Sequence, residues 1–406
     1  MQTVKTKRTL LILAIIFFWF SQYVYGPYQT PYLLGLGAAA AFVGVIGGAY
    51  GFTQMLLRIP VGIFADLRNR HKGFILVGIL CSALASVIRA FCPYPVAFLF
   101  AQMLSGVASA MWISFSILYA SLFLEGELKK SMGYIVAGNN GGILLGFTAG
   151  TLLNHFVSLQ SVFISSIAAG LVSLAFAAFI REGKPAGGIP AEKRTFKDLH
   201  LGQAFKSKKL IFYCILAFLM QMVIMSTALN FTMAYAKGIT TEEFTLGICS
   251  MIFMAVSVAT SFFISRLKWS NTTIISVLFA CLLVYCALVP LSGAMWQLYI
   301  LQAVVGMGNG GLFSLLMAYA MTGVQKEHKS TVMGFYQASY SVGMTLGPVI
   351  LGALANNGSY TAGFWVIGGF ALAGIVITQT ARRMPLLKSR KTEAPEAPAA
   401  VQEENA

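Results

Sequence analysis

The sequence predicts an all-α membrane protein of twelve transmembrane helices, arranged as two similar six-helix halves. Three observations carry that prediction. Charged residues make up 10% and hydrophobic ones 57% of the chain, against roughly 25% and 45–50% in ordinary globular domains. Apolar runs long enough to cross a bilayer core of about 30 Å, which takes about 20 residues per helix, recur along nearly the whole chain. The third observation is internal repetition. Residues 101–120 align with 301–320, pairing Gln102 with Gln302, Gly106 with Gly306, Ser114 with Ser314 and Tyr119–Ala120 with Tyr319–Ala320. With one residue of slip the likeness continues through Met132–Gly133 and Met333–Gly334, Gly142 and Gly343, and Leu145–Gly146 and Leu346–Gly347. Two membrane half-bundles of similar build can face each other across a central cavity, and a substrate site belongs at such a repeat interface.

The runs fall near 9–34, 41–66, 73–92, 95–122, 131–155, 159–181, 209–236, 243–266, 271–291, 294–321, 330–355 and 360–381. Helices are the expected element, because lipid offers backbone amides no partners and the runs lack the alternation of a membrane barrel. Basic residues punctuate alternate loops. Lys5, Lys7 and Arg8 precede the first span, Arg68, Arg70 and Lys72 follow the second, and Lys129 and Lys130 the fourth. Lys193, Arg194, Lys197, Lys206, Lys208 and Lys209 follow the sixth, Arg266 and Lys268 the eighth, and Lys326 and Lys329 the tenth. Arg382, Arg383, Lys388, Arg390 and Lys391 follow the twelfth. The other loops are almost uncharged, apart from Lys237, Glu242 and Glu243 after the seventh span. The positive-inside rule then puts both termini in the cytoplasm of a plasma (inner) membrane protein. The net charge of +15 reads as topology, not as nucleic-acid binding. The first span lacks a small-residue cleavage site and is too long for a signal-peptide core, so it is expected to remain as an anchor. The six cysteines lie inside the runs without metal or disulfide spacing and read as small packing residues.

The first span carries Tyr23-Val-Tyr-Gly-Pro-Tyr-Gln-Thr-Pro-Tyr32. Pro27 and Pro31 each remove a helix hydrogen bond and bend its outer half. Tyr28 and Tyr32 read as an interfacial belt, while Tyr23 and Tyr25 lie deeper, within reach of a substrate. The second span ends in Arg58-Ile-Pro-Val-Gly62-Ile-Phe-Ala-Asp66-Leu-Arg68-Asn-Arg70-His-Lys72. This stretch resembles the signature of the major facilitator superfamily, in which a Gly, an Asp four residues later and a basic cluster join the second and third spans. Gly62, Asp66, Arg70 and Lys72 match by position, whereas Leu67 and Asn69 depart from the usual Arg and Gly. The physics suits a conformational gate: Gly62 permits close helix contact, and Asp66 can pair with an Arg or a helix N-terminus. Arg58, about two turns earlier, joins the same gate.

The resemblance continues at Gly106 of the fourth span, but Gln102 stands where the family often has an Arg associated with proton coupling. Spans five and eleven resemble the family's glycine-rich pattern in Gly142, Gly146 and Gly150, and in Gly343, Gly347 and Pro348. Glycines four apart lie on one helix face and permit close packing. Phe147 replaces the proline typical of antiporters, which weakens the drug/proton-exporter reading. Residues 182–208 read as a basic cytoplasmic linker between halves at 1–181 and 209–382, and 383–406 as a disordered cytoplasmic tail.

After Asp66 every Asp or Glu falls in a loop or tail, so no carboxylate is expected in mid-membrane, where proton-coupled carriers commonly put one. Arg89, close to the outer end of the third span, is expected to snorkel to the interface. Neutral polar groups are richer. Gln102, Gln302, Asn140 and Gln337, with Tyr23, are the expected cavity residues, because unpaired amides in lipid are costly. Gly306-Met-Gly308-Asn-Gly310-Gly311 only loosely resembles a nucleotide loop, since no strand precedes it. No nucleophilic triad or metal-ligand spacing can be proposed, so neither enzyme nor cofactor is expected. The resemblance implies a secondary active or facilitative transporter working by alternating access, a monomer among lipids, driven by a gradient of its substrate or of a coupled ion. Amides and aromatics favour a small polar organic solute such as a sugar, nucleoside or amino-acid-like compound. Drug or metabolite efflux by proton antiport, or a non-transporting receptor or scaffold of the same fold, are the alternatives.

Overall fold

The computed structural model describes residues 2–68, 71–123, 128–181, 207–264, 269–322, 324, 329–355 and 359–382. Twelve helical spans follow one another: Val4–Gly35, Ala40–Arg68, Lys72–Phe91, Pro95–Ala120, Leu128–Phe156, Leu159–Phe179, Lys208–Lys237, Glu243–Phe263, Asn271–Leu291, Met295–Met321, Lys329–Leu354 and Thr361–Ala381. Ten are apolar enough to cross a membrane on length and composition alone. Among the described residues the other two, the fifth and eleventh, owe their milder hydropathy to glycines and to polar residues such as Asn139, Asn140 and Gln337. Several starts are set by side-chain caps. Thr3, Ser158, Ser207 and Ser270 each accept from a backbone N–H three residues on, at 3.2, 3.2, 3.3 and 3.2 Å, filling an orphan donor of the first turn. Gly37, at φ 82°, turns the chain from the first span into the second.

The expected repeat reappears as a repeated set of backbone contacts. A Cβ on Gly142 would collide with the carbonyl oxygen of Ile16, and one on Gly343 with that of Phe218. Gly146 lies against Phe20 and Gly347 against Met222, so the fifth span sits on the first as the eleventh sits on the seventh. Gly106 and Gly306 behave alike: a Cβ on either would lie 2.6 Å from a carbonyl oxygen, of Tyr50 in the second span and Phe253 in the eighth respectively. Absent side chains let backbones meet this closely, and dispersion, the main attraction available between helices in lipid, rises accordingly.

Contacts between the halves run mainly through two helix pairs, the second span on the eleventh and the fifth on the eighth, and the outer piece of the first span also packs on the seventh and eighth. Gly44 meets the Pro348 carbonyl, and Gly51 packs on Met344. Outward faces carry exposed Leu56, Leu80, Leu84, Phe100, Leu145 and Leu171, as a lipid boundary requires. Exposed Tyr94, Trp269, Trp296 and Trp365 lie near span ends, where amphipathic rings anchor at the membrane surface.

The first span corrects one expectation. It breaks into Val4–Tyr23 and Gly26–Gly35, with Pro27 and Pro31 in the second piece, but its tyrosines form no belt. Tyr28 is 2% exposed, and Tyr32 packs on the rings of Phe98 and Phe163 at 5.6 and 5.8 Å. The bend at residues 24–25 turns the outer piece of the helix inward, so its aromatics fill protein rather than the headgroup layer.

Candidate functional site

Two irregular helices mark the site. The first span is interrupted at Val24–Tyr25, between its pieces Val4–Tyr23 and Gly26–Gly35, and the seventh loosens into a π-turn over Thr227–Phe231. With Ile16 matching Phe218 and Phe20 matching Met222, these breaks fall at nearly the same register of the two halves. The π-turn has local causes. Ser226 and Thr227 hydroxyls donate back to the carbonyls of Met222 and Val223 at 2.6 and 2.7 Å, and Asn230 Nδ2 donates to the Met225 carbonyl. Such side-chain bonds compete with the i→i−4 ladder and bend helices, and π-turns frequently coincide with functional sites.

Between the breaks lies a cavity of about 50 Å³. The first span contributes Gln22, Tyr23, Tyr25, Gly26, Gln29 and Thr30, with Tyr50, Gln102 and Phe147 from spans two, four and five. The other half supplies Met225, Leu229 and Asn230 from the seventh span. One wall is therefore rich in amides and phenols, and the other is mostly apolar. Gln22 Nε2 donates to the Ser105 carbonyl at 3.1 Å and the Ser109 hydroxyl at 3.4 Å, while the Tyr50 hydroxyl shares a 2.8 Å hydrogen bond with Ser109. Phe147, in the place of the expected proline, faces Gly26, where a Cβ would lie 2.9 Å from its ring.

Arg89 stands behind the polar wall, and it does not snorkel. It is 2% exposed. Its Nη2 donates to Gln102 Oε1 and, at 2.8 Å, to the Ser105 hydroxyl; its Nε donates to Gln29 Oε1 at 3.2 Å. Its guanidinium carbon lies 4.1 Å from the centre of the Tyr25 ring, a cation–π contact. The expectation failed because position along the helix was used without its face. Ser82, Ser86 and Arg89 lie on one inward stripe, with Ser86 bonded to Ser166 at 2.7 Å. That i, i+4, i+7 spacing was the available signal for Arg89; Gln22, Tyr25 and Gln29, at i, i+3, i+7, were the signal for the two glutamines not singled out.

The other expected residues distribute as follows. Gln102 and Tyr23 line the cavity, whereas Gln302, Asn140 and Gln337 do not. Gln302 is fully buried with neither amide atom partnered. The repeat does not carry it to the cavity, because the second half reaches that space only through the seventh span. Asn140 is half-buried on the fifth span. Gln337 is buried and lends its backbone oxygen to Arg58 Nη1 at 3.1 Å, while Arg58 Nη2 donates to Gln54 Oε1. Arg58 thus bridges the halves. Gly62 makes no close approach: a Cβ there would meet only Ile113, at an ordinary 3.9 Å. Lys72 Nζ donates to the Ala178 carbonyl at 2.7 Å, tying the third span to the sixth within one half. The Asp66 side chain, Arg70, residues 182–206 of the linker and 383–406 lie outside the described residues.

At the end remote from the termini, Asn154 Nδ2 of the fifth span donates to Glu243 Oε2 of the eighth at 2.7 Å. Glu243 also pairs with Lys237 at 2.6 Å. Among the described residues no Asp or Glu side chain is buried, yet two arginines are.

Comparison with known proteins agrees with this architecture. A sequence model of the Major Facilitator Superfamily matches residues 11–294 and 234–404. The chain is 24% identical over 379 residues to the inner membrane transport protein YajR of Escherichia coli, covering 91% of this chain and 82% of that protein. It is 23% identical over 389 residues to the multi-drug resistance efflux pump PmrA homolog of Lactococcus lactis, covering 92% of this chain and 95% of that one. Among solved structures, the nucleoside transporter NupG shares the fold at a TM-score of 0.71 and 14% identity, covering 94% of this chain and 100% of that one. A point variant of NupG gives 0.72 at 16% identity, covering 92% and 99%.

Proposed function

The chain belongs to the Major Facilitator Superfamily and is a multi-pass membrane transporter; on that premise we propose that it carries a small polar organic solute through this cavity by alternating access. One observation carries the reading: a cavity with a polar wall lies at the boundary of the halves, where the first helix of each half departs from regular α geometry. Irregular helix backbone at membrane depth is tolerated where it is buried in protein or lines a cavity, and carriers place their substrate sites at such irregular helices. A volume of about 50 Å³ holds only a few waters, at roughly 10–15 Å³ each on the same measure. A solute therefore enters only when the halves part, and a gradient of solute or coupled ion supplies the energy. The protein acts as a monomer, without catalysis, and both termini face the cytoplasm. Expulsion of amphipathic compounds is the second reading, favoured by the likeness to a protein named as a multi-drug efflux pump.

Purified protein screened by thermal shift against sugars, nucleosides, amino acids and amphipathic drugs, with hits followed in proteoliposomes, tests the proposal. At least one ligand is expected to cross saturably, more slowly in Tyr23→Ala. Ligands that bind but never cross in either direction would overturn it. For the orientation, a Cys replacing Lys208 in a Cys-free background should escape an impermeant reagent in intact cells, and one replacing Gly293 should react. The reverse pattern inverts the topology.

A further inference from the structure

We propose that the cavity recognises the carboxylate of a small organic anion, with Gln29 and Gln102 as its hydrogen-bond donors and Arg89 as the charge behind them. The inference rests on the carrier reading above and names the class of its substrate.

Arg89 is a buried cation. Taking a guanidinium out of water costs several kcal/mol unless an anion or a full set of acceptors replaces the water. Arg89 has neither. Its partners are two amide oxygens, a hydroxyl and an aromatic face, and its Nη1 has no partner at all. With no buried carboxylate among the described residues, nothing described in the protein neutralises it.

The second step is geometric. A guanidinium has donors only, so it can bond a glutamine only at the amide oxygen. That decides which way both amides are turned. Gln29 and Gln102 each give Oε1 to Arg89, which leaves both Nε2 groups without a hydrogen-bond partner on side chains that line the cavity. Both free donors belong to side chains of one cavity, unlike the single unpaired Nε2 of Gln54 beside Arg58, which lines none of it. Two amide donors backed by a positive charge match a group with two acceptor oxygens and a negative charge. On the facing wall Met225 and Leu229 suit an apolar body behind that group, while Asn230 there gives its Nδ2 to the Met225 carbonyl.

Carboxylates and their uncharged amides of the same shape provide the test: benzoate with benzamide, phenylacetate with phenylacetamide, nicotinate with nicotinamide and lactate with lactamide. Each is added at millimolar concentration to the purified full-length protein, and Tm is read. At least one carboxylate should raise Tm while its amide does not, and Arg89→Gln should weaken that binding about tenfold or more. Should Arg89→Gln fail to fold, the isosteric Gln102→Glu still decides. It hands Arg89 an internal carboxylate, so it should raise the ligand-free Tm and abolish carboxylate binding. Equal binding of amides and acids, undiminished binding in Gln102→Glu, or no response to any of the carboxylates overturns the proposal. Proteoliposome flux separates it from the carrier reading. Flux of neutral solutes alone would leave a carrier with the wrong substrate class, whereas carboxylate binding without any flux would leave an anion site in a protein that does not carry.

Discussion

Arg58 of the second span donates to the backbone oxygen of Gln337 in the eleventh at 3.1 Å, and its guanidinium carbon lies 4.8 Å from the centre of the Tyr340 ring. The two residues belong to opposite halves, so alternation has to break this contact. A hydrogen bond from a charged donor is worth about 1.5–3 kcal/mol. Arg58→Met should therefore shift the balance between touching and parted arrangements roughly ten- to a hundredfold toward the parted one. Thermal stability should hold, because the variant also removes a buried charge whose Nε is unpartnered. Spin labels at Phe64 and exposed Trp269, on opposite halves at the end where Arg58 lies, should report longer distances; an unchanged distribution would remove Arg58 from the gate.

Neighbouring glycines should respond in opposite senses. Gly142→Ala and Gly343→Ala drive a methyl into the carbonyls of Ile16 and Phe218, an overpacking expected to cost about 1–3 kcal/mol. Gly141 has open space around its missing Cβ, so Gly141→Ala should gain about 0.5–1 kcal/mol from helix propensity alone. Melting temperatures of the three purified variants check the order, and equal effects at 141 and 142 would contradict it.

Gln302 and Gln102, paired by the repeat, should part company on mutation. Gln302 is fully buried with both amide atoms unpartnered, a desolvation cost of about 1–3 kcal/mol. Gln302→Leu should raise Tm and leave transport intact. Gln102→Leu takes an acceptor from Arg89, and it should lower both stability and substrate affinity. Loss of transport in Gln302→Leu with stability unchanged would return that residue to the substrate path.

The remote end offers two contacts of unequal weight. Lys237 and Glu243 pair at 2.6 Å with side chains 41% and 42% exposed, so Lys237→Met should change stability by less than about 1 kcal/mol. Asn154→Ala breaks the bond that joins the two halves there. A Cys at Thr151, which is 1% exposed in the native protein, should then react faster with an impermeant thiol reagent. Faster reaction in Lys237→Met than in Asn154→Ala would reverse the assignment.

Legibility followed the range of the physics involved. The spans, the repeat and the glycine faces were readable because hydrophobic length and i, i+4 spacing are local properties of a helix. Gln102 and Tyr23 were reached by the cost of burying an amide or phenol in lipid. The same reasoning did not bring Gln302 to this cavity, since a repeat in sequence does not oblige both halves to line one space. Arg89 was misjudged because its distance from the span end suggested water, while Ser82 and Ser86 on its own stripe pointed inward.

By itself, then, the sequence determined an all-α membrane protein of twelve spans in two related halves, because solvent and chain length leave an apolar run few other options. It did not show that Arg89 is buried, nor which groups hold either arginine. Only the tertiary structure decided that Arg89 holds Gln29 and Gln102, that Arg58 joins Gln337, and that the π-turn of Thr227–Phe231 faces the broken first span. Those relations depend on how helices distant in sequence rotate and close upon one another, and that rotation is set by backbone contacts such as Gly142 on Ile16 and Gly343 on Phe218.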